Sequence, residues 1–152
     1  MASLGFAASI RVNSDAVLLK VNKVAYRIAW ELFTSIVHLT PSPTQPGAFA
    51  KGLLANQWYP SVGTPSGEVG TDTSDTGSAS LSRINEFVAN GKEFLGKDGV
   101  LILSNNLPYS GRAESVGWLE APWSGKVRPY RMVARSLIAV AATNRLIPIR
   151  IP

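Results

Sequence analysis

Residues 15–37 read DAVLLKVNKVAYRIAWELFTSIV, and this stretch decides the fold. Val17, Val21, Val24, Ile28, Leu32 and Ile36 recur every three or four positions, joined by Leu18, Ala25, Ala29 and Phe33, which is the period of an amphipathic α-helix. Asn13 and Ser14 are good N-caps, so the spacing predicts a helix over about 15–37, with Lys20, Lys23, Arg27 and Glu31 among its polar positions. At 1.5 Å per residue it spans about 35 Å. It must end ahead of Pro41, Pro43 and Pro46, which cannot continue a helix and push the residues before them towards extended backbone.

Downstream, LLANQWYPSV over 53–62 reads as a strand, with Trp58 and Tyr59 suited to a half-buried sheet and Pro60 marking an edge or bulge. Residues 63–80 hold almost nothing to bury and read as a flexible loop. Ser80 or Ser82 can cap a second helix that runs to Asn90-Gly91 with Leu81, Ile84, Phe87 and Val88 inward. The apolar run Val100–Leu103 reads as a buried strand. Pro129 suits the first position of a third helix, which should run to about Thr143 with Met132, Val133, Leu137 and Val140 inward. Residues 146–152 follow as an extended tail. The prediction is a single α+β domain over 1–152: a long N-terminal helix, a small antiparallel or mixed sheet, two further helices and an extended C-terminal arm.

Composition narrows the chemistry. The 152 residues contain no cysteine and one histidine, His38, which excludes disulfides, thiolate nucleophiles and every two-histidine metal motif. Charged residues make up 16% of the chain, against a typical ~25%, so much of the surface is expected to be covered by something else, such as copies of itself. No run reaches the ~18 apolar residues of a membrane span, and residues 1–10 lack the basic start of a signal peptide, so a soluble protein made in a cytoplasm is expected. The net charge of +5 is concentrated late in the chain, since no acid follows Glu120. A solvated basic helix is the ordinary explanation; a surface facing DNA or an acidic partner is the sharper one.

Catalytic motifs fail one by one. Gly91 to Lys97 spells the first seven positions of a phosphate-binding loop, but Asp98 replaces the required Ser or Thr and the order is helix then strand, the reverse of that motif. Asp72, Asp75 and Gly77 lack the spacing of a calcium loop. No nucleophile elbow is present, and His38 follows an apolar helix face, as a packed or capping histidine does. Neither an enzyme nor a cofactor is expected.

The most distinctive stretch is Ser104-Asn105-Asn106-Leu107-Pro108-Tyr109, then Glu114, Gly117-Trp118, and Ala121-Pro122-Trp123-Ser124-Gly125-Lys126-Val127. Two asparagines that tolerate left-handed backbone end a strand, Pro108 stiffens the turn, and a Gly-Trp hinge and Pro-x-x-Gly turn deliver the last helix. By itself this is a rigid connector.

The pattern resembles the neck or tail-completion proteins of long-tailed, lambda-like bacteriophages, whose signature runs strand, N-N-L-P-Y, a glutamate, glycine and often tryptophan, A-P-x-G, helix. Asn105, Asn106, Leu107, Pro108, Tyr109, Glu114, Gly117, Trp118, Ala121, Pro122 and Gly125 carry the match. The element order is similar over most of residues 14–142, including Thr40-Pro41, Gly47 and Val62-Gly63. Two departures stand out: the family's T-P-V-D-T-G turn is replaced by the longer Thr40–Gly47 without its aspartate, and the Glu114-to-Gly117 spacing is slightly off.

The resemblance implies a virion protein at the head-tail junction, a ring of six or twelve copies between the connector or head-completion proteins and the tail tube or its terminator, around passing DNA. A tail terminator and, from another class, a small basic DNA-binding module are the alternatives. On this reading Asn105 to Tyr109, Glu114, Gly117, Trp118, Pro122 and Trp123 serve a subunit interface or the connector that supports it. Lys126, Arg128, Arg131 and Arg135 are candidates for bases facing the channel. Leu146, Ile147, Ile149 and Ile151 are too apolar for a free end and form a candidate arm onto a neighbour.

Overall fold

A computed structural model describes residues 3–41, 52–74, 76–91, 99–117 and 128–144, with side chains in the first helix from Ala16 onward. Among the described residues, four helices and a two-stranded antiparallel sheet make an α+β fold. The order is α1 (Ser3–Leu39), β1 (Tyr59–Val62), α2 (Ser78–Asn90), β2 (Leu101–Ser104), α3 (Ser110–Ser115) and α4 (Met132–Thr143).

α1 starts a full twelve residues before the predicted Asp15, which leaves Asn13 and Ser14 inside the helix instead of capping it. A cap lowers the cost of starting a helix but cannot stop one already propagating through residues with adequate helix propensity. At 1.5 Å per residue α1 is about 55 Å long. Its C-terminal half carries the core. Ala29, Phe33, Ile36 and Val37 pack with Leu54, Trp58, Ile84, Leu107 and Met132, so α2, α4 and the turn before β1 close on this half. Trp58 is fixed there by its indole N–H, which donates to Thr40 Oγ1 (3.0 Å), while Thr40 Oγ1 donates to Ile36 O (2.7 Å).

The predicted strand over 53–62 is half strand and half turn. Asn56 N–H reaches back to Gly52 O and Leu53 O (both 3.2 Å), so Leu53–Asn56 coils tightly and buries Leu54 and Ala55 before the chain extends at Gln57. Gly52 makes this possible: its φ is +73°, and a Cβ there would lie 2.2 Å from Ser74 O. β1 then pairs with β2 in the register Tyr59↔Ser104, Pro60↔Leu103, Ser61↔Ile102 and Val62↔Leu101. All four β2 residues are half-buried instead of buried, because a sheet of two strands covers only one face.

α2 begins at Ser78 with Gly77 as its left-handed N-cap residue, so neither Ser80 nor Ser82 is the cap. Ser80 is buried, and its Oγ accepts from Trp58 N–H (3.0 Å), tying α2 to the chain before β1. The predicted inner stripe is present, with Ile84 buried and Leu81, Phe87 and Val88 half-buried. Gly91 ends the helix against Tyr26, whose ring leaves no room for a Cβ there.

Two features of the second half differ from expectation. α3 adds a third helix beyond α1, formed where a rigid connector was predicted. α4 starts at Met132, three residues after Pro129, because Tyr130 N–H and Arg131 N–H donate to Ala113 O (2.9 Å) and Glu114 O (3.2 Å) and hold that strap extended. Arg131 then takes a left-handed turn at φ 50°. Met132 and Val140 are buried, Val133 and Leu137 half-buried, as the spacing predicted. The tail 146–152 lies outside the described residues.

Candidate functional site

The connector between β2 and α4 is a chain of local hydrogen bonds. Asn105 donates from Nδ2 to Leu54 O (3.1 Å), and its Oδ1 accepts from Leu107 N–H (3.2 Å), closing an Asx turn that drives Leu107 into the core. Asn106, exposed, donates from Nδ2 to Ser66 O (2.7 Å) and Glu68 O (2.9 Å). Ser110 Oγ donates to Leu107 O (2.8 Å) at the start of α3. Pro108 is exposed, and Tyr109 packs half-buried against the core.

Glu114 performs the central task. Its Oε2 accepts from Val133 N–H (3.1 Å) and its Oε1 from Ala134 N–H (3.2 Å), so one carboxylate satisfies two of the N–H groups that α4 leaves unpaired and places negative charge at the positive end of the helix. Gly117 ends α3 at φ +72°, donating to Arg112 O (2.8 Å) while Arg112 Nε donates to Gly117 O (3.0 Å). Of the two roles given to Asn105, Asn106, Leu107, Glu114 and Gly117, the bonds described here serve the connector. Burial lifts the hydroxyls of Tyr109 and Tyr130, on either side of this joint, above the ordinary phenol range. Trp118, Pro122 and Trp123 lie outside the described residues.

The segment 63–74 has no regular structure, and side-chain amides hold it at several points. Besides the two bonds from Asn106, Gly70 N–H donates to Gln57 Oε1 (2.6 Å) and Asn56 Nδ2 donates to Ser74 O (2.6 Å). Asn56 Oδ1 also accepts from Ala79 N–H (3.1 Å), so this fully buried amide links the turn at Gly52, the loop and the first turn of α2. Arg83 lies over the Tyr59 ring, 4.2 Å from its centre, and its guanidinium donates to Asn56 O. Neither Asn56 nor Gln57 stood out in the sequence, where they read as ordinary strand positions.

The surface offers three further features. On α1, Val17, Val21 and Val24 are 58%, 56% and 53% exposed, although the sequence placed them inward. The stripe that does face the core is Asn22, Tyr26, Ala29, Phe33 and Ile36, about 140° round the helix at 3.6 residues per turn. Both sets have helical spacing, and the polar Asn22 hides the one that wins. Arg128, Arg131 and Arg135 are exposed around the start of α4, and Lys126 lies outside the described residues. His38 is exposed in the last turn of α1, which removes the packed alternative and leaves a base near the helix C-terminus, where the capping alternative puts it.

A cleft of about 430 Å³ lies between α1 and α2, lined by Tyr26, Trp30, Val88 and Asn85 together with the bases Lys23 and Arg27, and by no carboxylate among the described residues. Trp30 Nε1 donates to Asn85 Oδ1 (2.7 Å) across it. Among the described residues no group of His, Asp and Glu gathers as metal ligands, and no helix is long and apolar enough to cross a membrane. Comparison with protein-family models, curated proteins and solved structures finds no match.

Proposed function

We propose that this chain is a structural subunit of a phage neck, assembling as a ring at the head-tail junction and joining the connector to the tail tube around the path of the DNA. The observation that carries self-assembly is the second apolar side of α1. A helix apolar on two sides is ordinarily covered on both, and among the described residues the core covers only the Phe33–Ile36 side. The place of the ring in a virion rests on the resemblance of the 105–125 connector to neck proteins. The connector supports that reading physically: Asn105, Leu107 and Glu114 make a stiff joint that fixes α4 relative to the sheet, as a load-transmitting ring requires.

In this role Arg128, Arg131 and Arg135 supply diffuse positive charge for phosphates passing through the lumen or for an acidic partner ring. Tight phosphate binding would impede DNA movement, so contact is non-specific and falls with salt. The test is an electron-microscopic image of virions and of free tails carrying this chain with a label: density at the head-tail junction of virions but absent from free tails supports the neck, density also at the head-facing end of free tails supports the terminator. A chain that stays monomeric and binds DNA in a salt-sensitive way would replace both with a DNA-binding module.

A further inference from the structure

Among the described residues the sheet has one usable edge. Gly63 N–H donates to Val100 O (2.9 Å), and the antiparallel register carries that alternation along the ladder, so Ser61 with Ile102 and Tyr59 with Ser104 exchange the β1–β2 bonds. The backbone groups of Pro60 and Val62 therefore face away from β2, and those of Leu101 and Leu103 face away from β1. On the β1 side Pro60 has no N–H to offer. On the β2 side Leu101 and Leu103 keep their N–H and C=O groups, which make no hydrogen bond among the described residues. Two strands are marginal as a sheet, and an open edge of this kind is a template for a third.

Leu146-Ile147-Pro148-Ile149-Arg150-Ile151-Pro152 has the matching asymmetry. In an extended strand alternate residues present their backbone to the same edge. Ile147, Ile149 and Ile151 thus offer three N–H groups on one edge, while Pro148 and Pro152 remove theirs from the other. The same alternation sends the three isoleucines to one face and Leu146 and Arg150 to the opposite face. Leu101 and Leu103 share the core-packed face of β2, so isoleucines beside them extend that apolar face and leave Arg150 in water.

We propose that segment 146–152 of one copy adds to the β2 edge of the next, as the third strand of its sheet. Asn144, where α4 ends, is tethered to α1 by bonds from its Nδ2 to Glu31 Oε2 (2.6 Å) and from Arg27 to its Oδ1 (3.0 Å). The eight residues beyond it can reach about 26 Å at 3.3 Å each. Each copy then gives one arm and takes one, a head-to-tail contact of the kind that makes a ring when its rotation closes. The completed sheet shows proline on both outer edges, which stops further strand addition. The source of the arm in a neighbouring copy rests on the ring proposed above; the pairing of the two edges does not.

The chain has no cysteine, so introduced thiols report alone. The full-length chain carrying Ile102→Cys and Arg150→Cys is treated with a short bis-maleimide, and its native mass is measured in parallel. A ladder of covalent multimers on a denaturing gel is the expected result, together with loss of assembly in Ile149→Pro and retention in Arg150→Pro. Ile149→Ala separates the loss of an N–H from the loss of a side chain and should assemble better than Ile149→Pro. A fast-migrating monomer linked within itself overturns the exchange between copies. Rings without a ladder overturn the arm and leave the ring; a ladder without closed rings keeps the arm and removes the ring; neither ladder nor ring removes both.

Discussion

The two sides of α1 are built from the same kinds of residue and have opposite surroundings. Phe33 and Ile36 are 5% and 3% exposed, whereas Val17, Val21 and Val24 keep more than half their surface in water. Apolar spacing therefore identifies the helix without deciding which stripe meets the core. That choice is made by what the rest of the chain can bring to it: Trp58, Ile84 and Met132 converge on the C-terminal half, and nothing among the described residues converges on the valines. Among the described residues, one side is committed to the core and the other is left uncovered.

This contrast can be broken most forcefully at the core. Phe33→Ala should cost about 3–5 kcal/mol of monomer stability, measured by denaturant unfolding. A loss under 1 kcal/mol would mean that the two sides are not energetically distinct. Next in size is Asn56→Ala, which strands Ser74 O and Ala79 N–H and should cost about 2–3 kcal/mol. It should also open residues 66–74 to limited proteolysis, because Asn56 is one of the side chains holding that segment. Cleavage there in the unaltered chain as fast as in Asn56→Ala would show that the amide bonds do not restrain it.

Glu114→Ala should cost about 1–2 kcal/mol through loss of the α4 cap, with Glu114→Gln recovering part of it because an amide oxygen still accepts one bond. Equal stability of all three chains would remove Glu114 from the joint. A smaller effect is set by pH. Since Tyr109 and Tyr130 are raised in the folded chain, the neutral phenols favour folding; stability is complete below the unfolded tyrosine range near pH 10 and falls as pH rises through the higher folded values. An unfolding midpoint that is flat through this range in Tyr109→Phe/Tyr130→Phe but not in the parent chain is the expected signature.

Periodicity and punctuation made much of this architecture legible. α1 ends at Leu39, just ahead of Pro41, Asn90-Gly91 ends α2, and Met132, Val133, Leu137 and Val140 line the inner side of α4. What stayed hidden depends on distant partners. Leu53–Asn56 coils because Gly52 passes close to Ser74, and α4 starts late because Ala113 and Glu114 accept from Tyr130 and Arg131. Asn56 and Gln57 become a buried node only when the loop returns to them. The connector was readable as a stiff joint, but the particular work of Glu114, capping a helix that begins eighteen residues later, has no local signal.

The central claim is that the outer valines of α1 belong to an interface between copies. Sedimentation of the full chain beside Val17→Ser/Val21→Ser/Val24→Ser tests it most directly, with unfolding midpoints taken on both. The account predicts a closed multimer for the unaltered chain, a monomer for the triple variant, and monomer stability changed by no more than about 0.5 kcal/mol per site, as for exposed substitutions. An unaltered chain that sediments as a monomer, or a triple variant that assembles as well as its parent, would contradict it.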